Sequence, residues 1–119
     1  MQKITLPTTN AHVIEVKGST VDFLEYKVGK IKYISFDTSD RGAPEPMQNA
    51  LLGLSLITDN KTRLVMINHR VPEGLLKRLT SKFEYIQENL DDKSIAIEFF
   101  VTGNEKIKGI ENIDNRCSG

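Results

Sequence analysis

The chain is predicted to fold as an α/β protein, an α+β two-layer sandwich with two helices on one face of a mixed four-stranded sheet, preceded by an N-terminal extension. Three patterns carry this expectation. Ile95, Ile97, Phe99 and Val101 alternate with other residues as in a strand with one face buried. Met47, Ala50, Leu51, Leu54 and Ile57 recur at spacings of three and four, one face of a helix. The run RLVMIN from Arg63 to Asn68 is apolar throughout its centre, as expected for a strand covered on both sides.

Taken in order, residues 1–11 form a polar lead-in that is expected to be poorly ordered. His12 to Lys17 alternates and predicts a short strand. Residues 20–28 carry conflicting signals. Ser19 with Asp22 resembles an N-capping pair and Gly29 a C-cap, whereas VDFLEYKV has a β-rich composition. The caps favour a short helix here. Ile31 to Asp37 predicts a strand, Pro44 to Ile57 a helix, and TDNK a turn. Pro72 then sits where a first helical turn accepts proline, with Leu75, Leu76, Leu79 and Phe83 as the following helical face. Tyr85 to Leu90 predicts a weaker strand, and the turn DDKS leads into the last one. The tail from Asn104 is polar and expected to fray.

From residue 30 the order is strand, helix, strand, helix, strand, strand. Two strands joined through a helix lie parallel with a right-handed crossover, which divides the chain into an extension (1–29), a core domain (30–103) and a tail (104–119). Leu52 and Leu56 fall opposite the core face of the first helix. A pair of leucines one turn apart predicts cover, either by the extension or by a second subunit in a homodimer.

Composition narrows the function classes. With 119 residues, 39% hydrophobic and 27% charged, the chain fits one soluble domain. Sixteen basic and sixteen acidic residues cancel, so no broad positive field is available for nucleic acid. Lys77, Arg78 and Lys82 lie on the outer side of the second predicted helix without interleaved aromatics, and a solvated face explains them better than RNA contact. The sequence has no long apolar run for a membrane span and no apolar core near its start for a signal peptide, so a cytoplasmic location is expected. The single cysteine, Cys117, rules out an intrachain disulfide. With only His12 and His69 and no metal-ligand spacing, neither a metal nor a cofactor is expected.

In a parallel βαβ unit the carboxyl ends of both strands open onto one edge. That edge collects the loop around DRGAPEP, residues 40–46, and the segment from Asn68 to Pro72. Asp37, Arg41, Gly42, Ala43, Pro44, Glu45, Pro46, His69 and Arg70 are the candidate ligand-binding residues. Arginine, histidine and helix-start amides together favour a small anion. A plainer reading makes Pro44-Glu45-Pro46 a rigid helix start, His69 a hydrogen-bonded loop histidine, and Arg41 and Arg70 solvated charges.

The segment FDTSDRGAPEPMQNAL resembles the opening of TusA/SirA-like sulfur-carrier domains. In that family an Asp-Thr pair ends the first strand and a Cys-Pro-x-Pro motif opens the first helix. Asp37 and Thr38 match the pair, Pro44 to Pro46 match Pro-x-Pro, and Ala43 falls on the cysteine. The resemblance covers roughly residues 30–103 and is closer to a cysteine-free branch, a domain of unknown function with a PPPEPM-like start and a His followed by Pro after the second strand. Met47, His69 and Pro72 fit that pattern. Ser39 stands where the branch usually carries an arginine.

The resemblance implies a binding or regulatory module rather than a sulfur carrier. A cysteine at a helix start is activated by the dipole and free amides, whereas alanine has nothing to ionise. The expected function is therefore non-catalytic binding of a small anionic ligand or a protein partner. The alternative is sulfur relay or redox chemistry through the tail thiol of Cys117.

Overall fold

Two parallel strands, β3 (Ile31–Asp37) and β4 (Thr62–Asn68), form the centre of the sheet, paired from Lys32↔Thr62 to Asp37↔Ile67. The computed structural model describes residues 4–101. The other strands are β1 (His12–Ile14), β2 (Phe23–Val28), β5 (Phe83–Asn89) and β6 (Ile95–Val101), in the order β1-β2-β3-β4-β6-β5. All pairings except β3 with β4 are antiparallel. Helix α1 (Glu45–Leu54) connects β3 to β4, and the single turn α2 (Glu73–Leu76) follows β4. The fold is thus α+β with a mixed sheet of six strands, the expected four lengthened by two from the N-terminal extension.

The helix expected over residues 20–28 is instead strand β2. Val28 and Ile31 face each other across a two-residue turn in which Gly29 adopts a φ of 63°. A glycine at positive φ ends a helix or turns a hairpin equally well, so the local signal is degenerate. Pairing decides: β2 hydrogen-bonds along an edge of β3 that would otherwise stay open, and Phe23 and Tyr26 are buried on opposite sides of the sheet.

On the helix side, Phe23, Ile34, Phe36, Leu64, Met66, Ile97 and Phe99 pack beneath Ala50 and Leu54 of α1. Leu51, expected on the core face, is 50% exposed. The ten-residue helix aligns on Ala50 and Leu54 and carries Leu51 to the rim. Leu52 and Leu56 are half-buried against the same cluster, with Val16 and Val21 beside them. A β-carbon placed on Gly18 would lie 3.7 Å from Leu52 Cδ1, so the expected cover comes from the N-terminal extension. Its attachment is polar as well. Asn49, fully buried on α1, accepts from the Thr20 amide at 3.0 Å and donates to Thr20 Oγ1 at 2.8 Å and to Glu45 O at 2.9 Å.

The second predicted helical face, Leu75 to Phe83, is not one helix. Only Glu73–Leu76 is helical, and Phe83 already pairs with Val101 as the first residue of β5.

The opposite sheet face carries Tyr26, Tyr33, Val65 and Ala96, which water would otherwise reach. Residues 4–11 lie across it, so the described part of the lead-in is held rather than loose. Ile4 is buried to 1% exposure, its amide donates to Glu88 Oε1 at 3.0 Å, and the Tyr26 hydroxyl donates to Thr5 O at 2.6 Å. Beneath them Arg63 Nη1 donates to Glu98 Oε2 at 2.6 Å.

Candidate functional site

The parallel register places the ends of β3 and β4 side by side, and their next residues fasten together. The Thr38 amide donates to Ile67 O at 2.8 Å, and its hydroxyl lies 3.0 Å from Asn68 Oδ1 and 3.3 Å from Ile67 O. Asn68 Nδ2 then donates to Arg70 O at 3.0 Å, which curls the loop after β4 back on its strand. Thr38 is fully buried and Asn68 2% exposed, so this polar chain forms a floor rather than a surface contact. On the β3 side, Asp37 Oδ1 accepts the Ser39 amide at 2.8 Å, an Asx turn that starts the loop toward α1.

Above this floor lies a cleft of about 700 Å³. One wall is the start of α1, with Ala43, Pro44, Pro46 and Met47. The other is the loop after β4 and the turn α2, from Asn68 to Leu75, and Ile95 of β6 contributes from the neighbouring strand. Ala43 and His69 therefore share one cavity, as the crossover geometry requires.

The candidate residues divide into two groups. Ala43, Pro44, Pro46, His69 and Arg70 line the cleft. Asp37, Arg41, Gly42 and Glu45 are not among its lining residues. Arg41 Nη1 pairs with Glu45 Oε1 at 3.1 Å and its Nε with Asp40 Oδ1 at 3.5 Å. Glu45 Oε1 also accepts from the Thr20 hydroxyl at 2.7 Å. Glu45 thus joins the start of α1 to the N-terminal extension, with Arg41 paired to it from the loop side.

Helix-start amides offer less than the sequence suggests. Pro44 and Pro46 carry no N–H, and the Glu45 amide donates to Gly42 O at 3.1 Å. Cationic recognition in the cleft consequently rests on exposed Arg70, with exposed His69 beside it as a hydrogen-bonding side chain. Exposed Glu73 stands on the same rim.

Met47, Asn68, Val71, Pro72, Glu73, Gly74, Leu75 and Ile95 complete the cleft beyond the candidate set. Asn68 had a local signal, a polar residue closing an apolar strand before His-Arg. Ile95 had none, because its place depends on β6 pairing with β4 at Asn68↔Ile95. Cys117 lies outside the described residues. Among the described residues no group of three His, Cys, Asp or Glu side chains is placed to hold a metal, and no helix is long and apolar enough to cross a membrane. Compared with protein-family models, with curated proteins and with solved structures, the chain matches none of them.

Proposed function

We propose that the protein is a cytoplasmic, non-catalytic binding module, related to the cysteine-free TusA-like branch, that holds a small monoanion with an apolar body in the cleft between the start of α1 and the loop after β4. The observation that carries this reading is the meeting of an alanine, in the place a nucleophile would take, with Arg70 and His69 across a cavity whose remaining lining is mostly apolar, Asn68 and Glu73 being its other polar side chains.

Lining chemistry sets the ligand class. Pro44, Pro46, Met47, Val71 and Ile95 offer apolar contact, which favours a body that sheds water on entry. Arg70 supplies a planar donor pair suited to a carboxylate. Glu73 on the same rim opposes high negative charge, so a monocarboxylate suits the site better than phosphate. Prolines at both ends of the α1 entry fix backbone angles before binding and reduce the ordering cost.

Calorimetric titration with benzoate tests the reading. Benzoate is expected to bind and inorganic phosphate to bind more weakly. Replacing Arg70 by alanine is expected to weaken benzoate about tenfold, the effect of losing one charge-assisted hydrogen bond. Equal affinity in the wild type and Arg70→Ala would contradict this assignment.

A further inference from the structure

The cleft adjoins a second cavity on the helix side, and Leu75 lines both. This neighbour is a groove of about 610 Å³ between α1, residues 75–83 and the end of β6. Its deeper lining is apolar, with Leu54 and Ile57 buried and Leu79, Phe83 and Val101 half-buried. Its polar lining side chains, among them Thr58, Asp59 and Arg78, are all exposed and so stand at the rim.

Two elements carry one apolar face from the cleft into the groove. Along α1, Met47 lines the cleft, and Leu51 and Leu54, at i+4 and i+7 from it, line the groove. Along β6, Ile95 lines the cleft and Val101 the groove, while Ile97 and Phe99 between them are fully buried on the same face. Six residues of strand advance about 20 Å, which sets the length of the joined path. At the boundary Met47 reaches from α1 to α2: a β-carbon on Gly74 would lie 3.6 Å from Met47 Cε. Gly74 has no side chain to clamp that thioether, and an unbranched methionine swings aside more readily than a branched or aromatic residue.

We propose that the apolar body of the ligand is an unbranched alkyl chain, its carboxylate at Arg70 in the cleft and its chain passing Met47 into the groove. The inference rests on the monoanion reading given above and names its ligand class, an aliphatic monocarboxylate. A ring such as that of benzoate fills the cleft and stops at Met47, whereas a chain continues and covers Leu51, which is 50% exposed in the free protein. Burial of that surface adds affinity in proportion to chain length.

Benzoate and decanoate, titrated separately into the isotope-labelled full chain, distinguish this inference from the reading beneath it. Both are expected to shift the amides of Ala43, Met47 and Arg70, and decanoate alone to shift Leu51, Leu79 and Phe83 as well. Affinity is expected to rise about fourfold per methylene group from hexanoate to decanoate. Leu51→Gln, at an exposed helix position, is expected to weaken decanoate about fivefold and to leave benzoate unchanged. Benzoate bound in the cleft, with decanoate no tighter than hexanoate or with the groove amides unmoved by decanoate, would overturn the alkyl assignment and leave the cleft reading standing. Equal decanoate affinity in the wild type and Arg70→Ala would overturn it too, because the chain would then occupy the groove without its head in the cleft. Failure of both probes to bind would overturn the two together.

Discussion

The hydroxyl of fully buried Thr38 lies 3.0 Å from Asn68 Oδ1, tying the end of β3 to the end of β4 directly beneath the cleft. Thr38→Val keeps the shape and removes the donor, leaving the Asn68 carbonyl without that partner in a buried setting. The expected loss is about 1–3 kcal/mol in urea unfolding. Faster hydrogen exchange at residues 68–71 should accompany it, because Asn68 also holds Arg70 O.

Gly53 shows packing overruling helix propensity. A β-carbon there would come within 2.6 Å of Leu64 Cδ1 and 2.8 Å of Leu64 Cδ2, and Leu64 is fully buried. Gly53→Ala would gain about 1 kcal/mol from propensity in a free helix. Overpacking costs about 1–3 kcal/mol. The expected sum is a net loss, read as a lower urea midpoint; a stabilised variant would show that α1 can lift from β4.

Arg63 and Glu98 form a pair with unequal burial: Glu98 is 3% exposed, whereas the Arg63 side chain is 32% exposed and stacks 4.5 Å over Phe100. Arg63→Met leaves a buried carboxylate without its cation, and a loss of about 3 kcal/mol is expected, the low end for breaking such a pair because one end meets solvent. The double variant Arg63→Met, Glu98→Leu should recover most of that loss. Additive losses in the double variant would contradict a coupled pair.

Burial pushes the Tyr26 hydroxyl well above its ordinary value of 10.0, with the nearby Glu98 charge adding to the effect and a Ser35 hydrogen bond opposing it. An acid whose pKa is raised on folding leaves stability intact below the unfolded value. Stability is then lost as pH rises above it, because only the unfolded chain ionises freely. Stability is therefore expected to fall above about pH 10, less steeply in Tyr26→Phe than in the wild type. Identical slopes would show that Tyr26 ionises equally in both states. At neutral pH the same substitution removes the bond to Thr5 O and should cost about 1 kcal/mol.

Legibility in the sequence followed the range of the interactions involved. Arg63 to Asn68 was readable as a central strand because a residue buried on both sides must be apolar whichever way it points. Two loops converging on one edge were readable because a right-handed crossover leaves few alternatives. Residues 23–28 were misleading, since Gly29 at positive φ serves a helix end or a hairpin alike and only the partner strand distinguishes them. Leu51 was misleading because spacing defines a stripe but not its width. Pairing of Arg41 with Glu45, and of Glu45 with Thr20, depended on where the N-terminal extension settles, which no local pattern encodes.

The most direct measurement is an amide-resolved benzoate titration of the isotope-labelled full chain by nuclear magnetic resonance. Saturable shifts at Ala43, Met47, His69, Arg70, Val71, Glu73 and Gly74 are expected, with residues of β1 and the β2–β3 turn unmoved. Shifts centred elsewhere, or none at millimolar benzoate, would contradict the cleft as the binding site.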